Sequence, residues 1–192
     1  MYGRRPDSLH LMNTTKKLTI SAVCVALGTL FMVLGGMIEV LDMSAAALSS
    51  AVVAFVFIEL GSPYTWLVWL STSLLTALMS FVRPMWILYL ICFGIYPILK
   101  GYIERLPKLA QWLLKFLFAN LAMALAMLGC QYILGIPFIT PGEDFFGLPI
   151  EAIYAVFIIL LNVAFFAYDM FISVMVRFYM YKLRDKFKPL LK

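Results

Sequence analysis

Six apolar runs, each close to the length of a bilayer crossing and separated by short polar connections, constrain this chain more than any motif it contains. A spanning helix needs about 20 mostly apolar residues, within a range of roughly 17 to 25. At that length the runs are Leu18 to Ile38, Ser44 to Leu60, Tyr64 to Val82, Met85 to Leu99, Trp112 to Leu134 and Ala152 to Val176. The fourth is short and carries Pro97 near its end, which predicts a kink or an early stop. The first follows Lys16-Lys17 and precedes five more runs, which predicts a retained signal-anchor. Composition agrees: 64% of the 192 residues are hydrophobic and 13% charged, whereas a soluble domain is roughly half apolar and a quarter charged. With no repeat or linker to divide it, the chain is expected to form an all-α integral membrane protein. It would be a single domain, a compact bundle of six transmembrane helices after a tail at 1–15.

Basic residues set the expected direction. Arg4, Arg5, Lys16 and Lys17 precede the first run, Lys100, Arg105, Lys108 and Lys115 surround the connection between the fourth and fifth, and six more end the chain. Fourteen of the fifteen Lys and Arg residues therefore fall on one side. By the positive-inside bias that side is cytoplasmic, together with both termini. The fifteenth is Arg83, on the same side as Glu39, Asp42, Glu143, Asp144 and Glu151.

This distribution also excludes classes. The net charge of +5 is scattered between apolar runs, with no single patch for a nucleic acid. Cys24, Cys92 and Cys130 share no metal-ligand spacing and read as small packing residues. The only histidine, His10, lies in the tail, so no His-based dyad has a base within the membrane. No Walker-type phosphate loop is present, so any ATP use belongs to partners. No cofactor or metal is expected.

Several residues remain as candidates. Pro84 keeps Phe81-Val82-Arg83 from running straight into the next helix, so Arg83 is expected in a turn. There it would either form a salt bridge that pins the outer loops or make a bidentate contact to a substrate carboxylate or phosphate. Asn120 and Asp169, counted from ends near Trp112 and Arg177, are each eight residues deep. A hydrogen bond between them is the expectation, with a functional role for the intramembrane acid as the alternative. Ala22 and Ala26 are one turn apart with Thr29 continuing their face, which suits close helix docking, internal or to a partner. Glu104 and Lys108 are spaced for a helical ion pair, within a segment from Tyr102 to Lys115 suited to lie along the membrane surface.

The stretch "TKKLTISAVCVALGTLF", its Ala22/Ala26 pair, six runs in about 190 residues and the short connection "EVLDMS" together resemble the substrate-binding S component of energy-coupling factor (ECF) transporters. "FGIYPILK" resembles a segment from a firmicute branch of such proteins. The resemblance implies a bacterial cytoplasmic membrane protein that captures a vitamin or related small organic molecule from outside. A membrane coupling protein and two ATPases would drive its toppling, with Ala22, Ala26 and Thr29 as the coupling face. It places the substrate site in the outer half, where this chain has Glu39, Asp42, Arg83, Trp86, Tyr89, Gln131, Tyr154 and Asn162. Trp86 and Tyr89, three apart, would stack on a flat ring or belong to the interfacial aromatic belt. The first connection is shorter than the lid of many family members, and no histidine cluster suits nickel or cobalt. The rival class is a non-transporting scaffold of the MreD type, with a filled outer half, whereas a cavity near Arg83, Trp86 and Gln131 able to enclose a ring would favour transport.

Overall fold

The computed structural model describes residues 14–135 and 150–184, apart from the side chains of Glu39 and of 150–154. All regular structure among them is helical. The helices are α1 (Thr14–Met37), α2 (Asp42–Glu59), α3 (Ser62–Met79), α4 (Met85–Leu88), α5 (Tyr96–Ile103), α6 (Lys108–Leu134) and α7 (Ile150–Phe178). A π-helical turn, Tyr89–Phe93, carries α4 toward α5, and a second, Tyr179–Leu183, extends α7.

All six expected runs are thus helical, with shifted ends. Five helices are long and apolar enough to cross a membrane: α1, α2, the α4–α5 stretch Met85–Ile103, α6 and Ala155–Leu183 of α7. The exception is α3, diluted by serine and threonine. Those residues point inward: Thr65, Thr72, Ser73 and Thr76 are buried, while Leu67, Leu70, Leu74, Leu75 and Leu78 face outward. Such an arrangement costs stability in water and suits lipid, where helices associate through small and hydroxyl-bearing faces. The hydroxyls of Thr65, Ser73 and Thr76 donate to the carbonyls of Gly61, Trp69 and Thr72 at 2.9, 2.8 and 2.8 Å, so they can lie inside without a partner helix.

Local signals explain the ends. Asp42 opens α2 where an acid favours the helix dipole. Pro63 and Pro97 lie in the first turns of α3 and α5, where a missing N–H costs nothing. Pro97 therefore starts a helix segment rather than ending one, and α5 continues past the expected stop at Leu99 to Ile103. The π turn before it leaves carbonyls that need donors. Trp69 Nε1 donates to the Leu90 carbonyl at 3.2 Å and the Tyr168 hydroxyl to the Phe93 carbonyl at 2.8 Å. Gly94 makes the first contact possible, since a Cβ there would fall 2.5 Å from the Trp69 ring.

Two cores result. One joins α1, α2, α3, α4 and the π turn through Met32, Ala46, Val53, Val56, Val68, Met85 and Tyr89. The other joins the π turn, α5, α6 and α7 through Cys92, Tyr96, Ala119, Ala122, Phe165, Tyr168 and Ile172. The three cysteines are free and buried, Cys24 in the first core and Cys92 in the second.

The helices alternate in direction, so the starts of α1, α3 and α6 share one end of the bundle with the ends of α2, α5 and α7. Contacts there include Lys17 over the Tyr64 ring at 5.9 Å, Tyr102 donating to Ser62 at 3.2 Å, and Arg184 bridging to Glu59 at 3.2 Å. Most basic residues gather at this end. The opposite end holds the α1–α2 connection, the α3–α4 turn and the end of α6.

Candidate ligand cavity and the ionic cluster beneath it

A cavity of about 400 Å³ opens between the start of α2, the π turn, α6 and α7. Its wall is largely apolar, with Met43, Met123, Met127, Phe93, Phe165 and Phe171 set among alanines and branched aliphatic side chains. A volume of this order suits a small organic ligand. Its described lining carries no charged side chain; the polar side chains on it are Ser44, Asn120, Asn162 and Tyr168.

Asn120 and Asn162 meet across the α6–α7 gap. Asn120 Nδ2 donates to Asn162 Oδ1 at 3.2 Å, and Asn162 Nδ2 donates to Asn120 Oδ1 at 3.3 Å. Each Nδ2 also donates to its own helix one turn back, to Phe116 O and Ile158 O, both at 2.9 Å. Since a carbonyl accepts only from the NH2 group, these backbone contacts fix which way each amide points.

The floor is aromatic. The Tyr96 ring stacks on Phe118 at 5.5 Å, and meets Phe165 edge-on at 4.8 Å, while Phe93 meets Tyr168 edge-on at 4.8 Å. Each such pair contributes about 0.5–1.5 kcal/mol beyond area burial.

Below the rings lies an ionic cluster. Asp169 Oδ2 accepts from Lys115 Nζ at 2.7 Å, while Oδ1 accepts from Lys100 Nζ and from the Tyr96 hydroxyl. Lys100 also bridges to Glu104 at 3.3 Å and donates to the Asp169 carbonyl at 3.1 Å. The lysine side chains are 6% and 13% exposed and Asp169 is 15% exposed, so the charges are satisfied by one another rather than by water. On the other side, Lys100, Glu104 and Arg177 line a second, more polar groove of about 600 Å³ between α2, α5 and α7.

Several expectations are corrected. Asp169 does not bond Asn120; its partners are two lysines and a tyrosine, while Asn120 pairs with Asn162. Lys100 and Lys115, counted only for their side of the membrane, are also buried counter-ions of Asp169. Glu104 pairs with Lys100, because a turn between Ile103 and Lys108 breaks the helix that a Glu104–Lys108 pair requires. Thr29 is buried, 7% exposed, so it does not continue the exposed face of Ala22 and Ala26.

The remaining candidates scatter. Asn162 lines the cavity. Arg83 lies in a turn, as expected, at the opposite end from most basic residues. Its Nη1 and Asp42 Oδ1 are 3.9 and 3.7 Å from where a Gly36 Cβ would stand, so α1, α2 and the α3–α4 turn converge there. Trp86 donates to the Phe81 carbonyl at 3.0 Å and stacks on that ring, closing the same turn. Tyr89 is fully buried and faces Ser49 and Thr72 rather than the cavity. Gln131 is exposed and also off the cavity wall. The side chains of Glu39 and Tyr154, with Glu143 and Asp144, lie outside the described residues. Lys100, Lys115 and Tyr96 were missed, although an acid and two lysines at comparable depth on neighbouring helices were a usable signal.

The chain matches no family model, and no match was found among curated proteins or solved structures.

Proposed function

We propose that the chain is the substrate-binding membrane subunit of an ECF-type importer. It captures a small organic molecule, of vitamin size, in the cavity between α2, the π turn, α6 and α7. It then delivers that molecule to a coupling module made of a membrane protein and two ATPases. The observation that carries the reading is the cavity of about 400 Å³ with its uncharged described lining, since a scaffold has no use for such a space.

Two further features support it. Ala22 and Ala26 are exposed on α1, one turn apart, and leave a coupling helix room to approach. The gathering of basic residues at one end of the bundle makes that end cytoplasmic by the positive-inside bias, with both termini there and the Arg83 turn outside. In this reading the protein resides in the bacterial cell membrane, and ATP hydrolysis belongs to the partners. Arg83 acts beside Asp42 to hold the outer ends of α1 and α2 against the α3–α4 turn.

Affinity purification of the tagged chain from its native membrane tests the assembly. The expected result is co-purification of one membrane coupling protein and two ATPases. Recovery with cell-wall synthesis proteins and no ATPase overturns it in favour of the scaffold.

A further inference from the structure

The polar groups of the cavity have an imbalance that selects for ligand chemistry. All four N–H bonds of Asn120 and Asn162 are used, two across the pair and two on the backbone carbonyls of Phe116 and Ile158. Each amide oxygen has two lone pairs, and each accepts one of these bonds. The Tyr168 hydroxyl is committed to the Phe93 carbonyl at 2.8 Å. The wall therefore offers unused acceptors at its centre, and the one hydroxyl with no such commitment, Ser44, is solvent-exposed.

We infer that the cavity recognises a neutral, flat molecule through an N–H or O–H edge laid against the Asn120–Asn162 pair, with its apolar body among Met123, Met127, Phe165 and Phe171. This rests on the cavity being the substrate pocket and specifies what enters it. A carboxylate or phosphate brings only acceptors and a charge, and meets amide oxygens in an apolar space with no cation on the described wall. The lysines nearest to the cavity floor face Asp169 and are held by it. The ligand class is thus a lactam or related neutral heterocycle whose N–H meets the amide oxygens while its carbonyl turns to the exposed side of the cavity, where the Ser44 hydroxyl can donate, and the Arg83 turn does not select it. Unbranched methionines on α6 let the apolar wall fit rings of somewhat different outline.

Binding of three matched probes to the protein in nanodiscs, followed by tryptophan fluorescence and by thermal shift, tests this. The probes are 2-quinolone, N-methyl-2-quinolone, which lacks the donor, and quinoline-2-carboxylate, which is anionic. The expected result is that 2-quinolone binds about tenfold or more tightly than either analogue, the factor for about 1.4 kcal/mol of hydrogen bonding. In an Asn120→Leu/Asn162→Leu variant that retains wild-type helicity, the preference falls to within about twofold. Equal binding of the N-methyl compound, tighter binding of the carboxylate, or no binding of 2-quinolone below about 1 mM overturns the proposal. Those results leave the transport reading standing wherever the coupling proteins still co-purify; loss of the coupling proteins with the quinolone preference intact overturns only the importer.

Discussion

Removing the carboxylate of Asp169 strands Lys115 in the bundle. In Asp169→Leu, Lys115 loses its acid at 2.7 Å, while Lys100 keeps Glu104 at 3.3 Å. One pair at about 4 Å is worth roughly 4 kcal/mol at the effective dielectric suited to proteins. Breaking a buried pair by deleting one partner costs about 3–5 kcal/mol, because the remaining charge stays desolvated. For a chain of this size each kcal/mol lowers Tm by about 2–4 °C, so a fall of roughly 6–20 °C is expected. The triple variant Lys100→Met/Lys115→Met/Asp169→Leu replaces the whole cluster with apolar side chains and is expected to recover most of that loss. Thermal unfolding in detergent, monitored by size-exclusion fluorescence, compares the two. A single variant within about 1 kcal/mol of wild type, or a triple variant no better than the single, refutes the account of a self-neutralising cluster.

Three further outcomes follow from the packing. Gly94→Val drives a side chain into the Trp69 ring and breaks its bond to the Leu90 carbonyl, at an expected loss of about 1–3 kcal/mol by the same unfolding assay. Glu59→Gln weakens the 3.2 Å tie to Arg184 that holds the end of α7 against α2, so limited trypsin digestion is expected to cut near Lys182 and Arg184 faster than in wild type. Ala22→Trp/Ala26→Trp alters exposed positions and leaves thermal stability within about 0.5 kcal/mol, while recovery of the coupling protein in affinity purification falls at least severalfold.

The spans were legible because their signal is length and apolarity, which tertiary structure does not alter. What the linear reading could not supply is register. Depths counted from Trp112 and Arg177 set Asn120 level with Asp169, but α6 begins earlier, at Lys108, and α7 runs through Phe178 into a further turn. The antiparallel register instead faces Lys115 with Asp169 and Asn120 with Asn162, about six residues or 9 Å from the one counted. Asn162 and Asp169, two turns apart on one face of α7, carry the complementary pattern: an amide opposite an amide, an acid opposite a lysine. Lys100 was hidden for another reason. Pro97 looked like a stop, whereas it starts the segment that carries the lysine inward. The candidate ligand residues were read near the outer loops, and among those whose side chains are described Asn162 alone reaches the cavity, since Tyr89 is packed into the α1–α3 core and Trp86 closes its own turn.

The central claim is that the space between α6 and α7 holds a small molecule. Native mass spectrometry of the protein released from nanodiscs after gentle purification tests it most directly. The account predicts one reproducible adduct of vitamin size at one per chain, absent from an Ala47→Trp variant that fills the cavity wall. A protein that carries only heterogeneous lipid adducts, unchanged by Ala47→Trp, contradicts it.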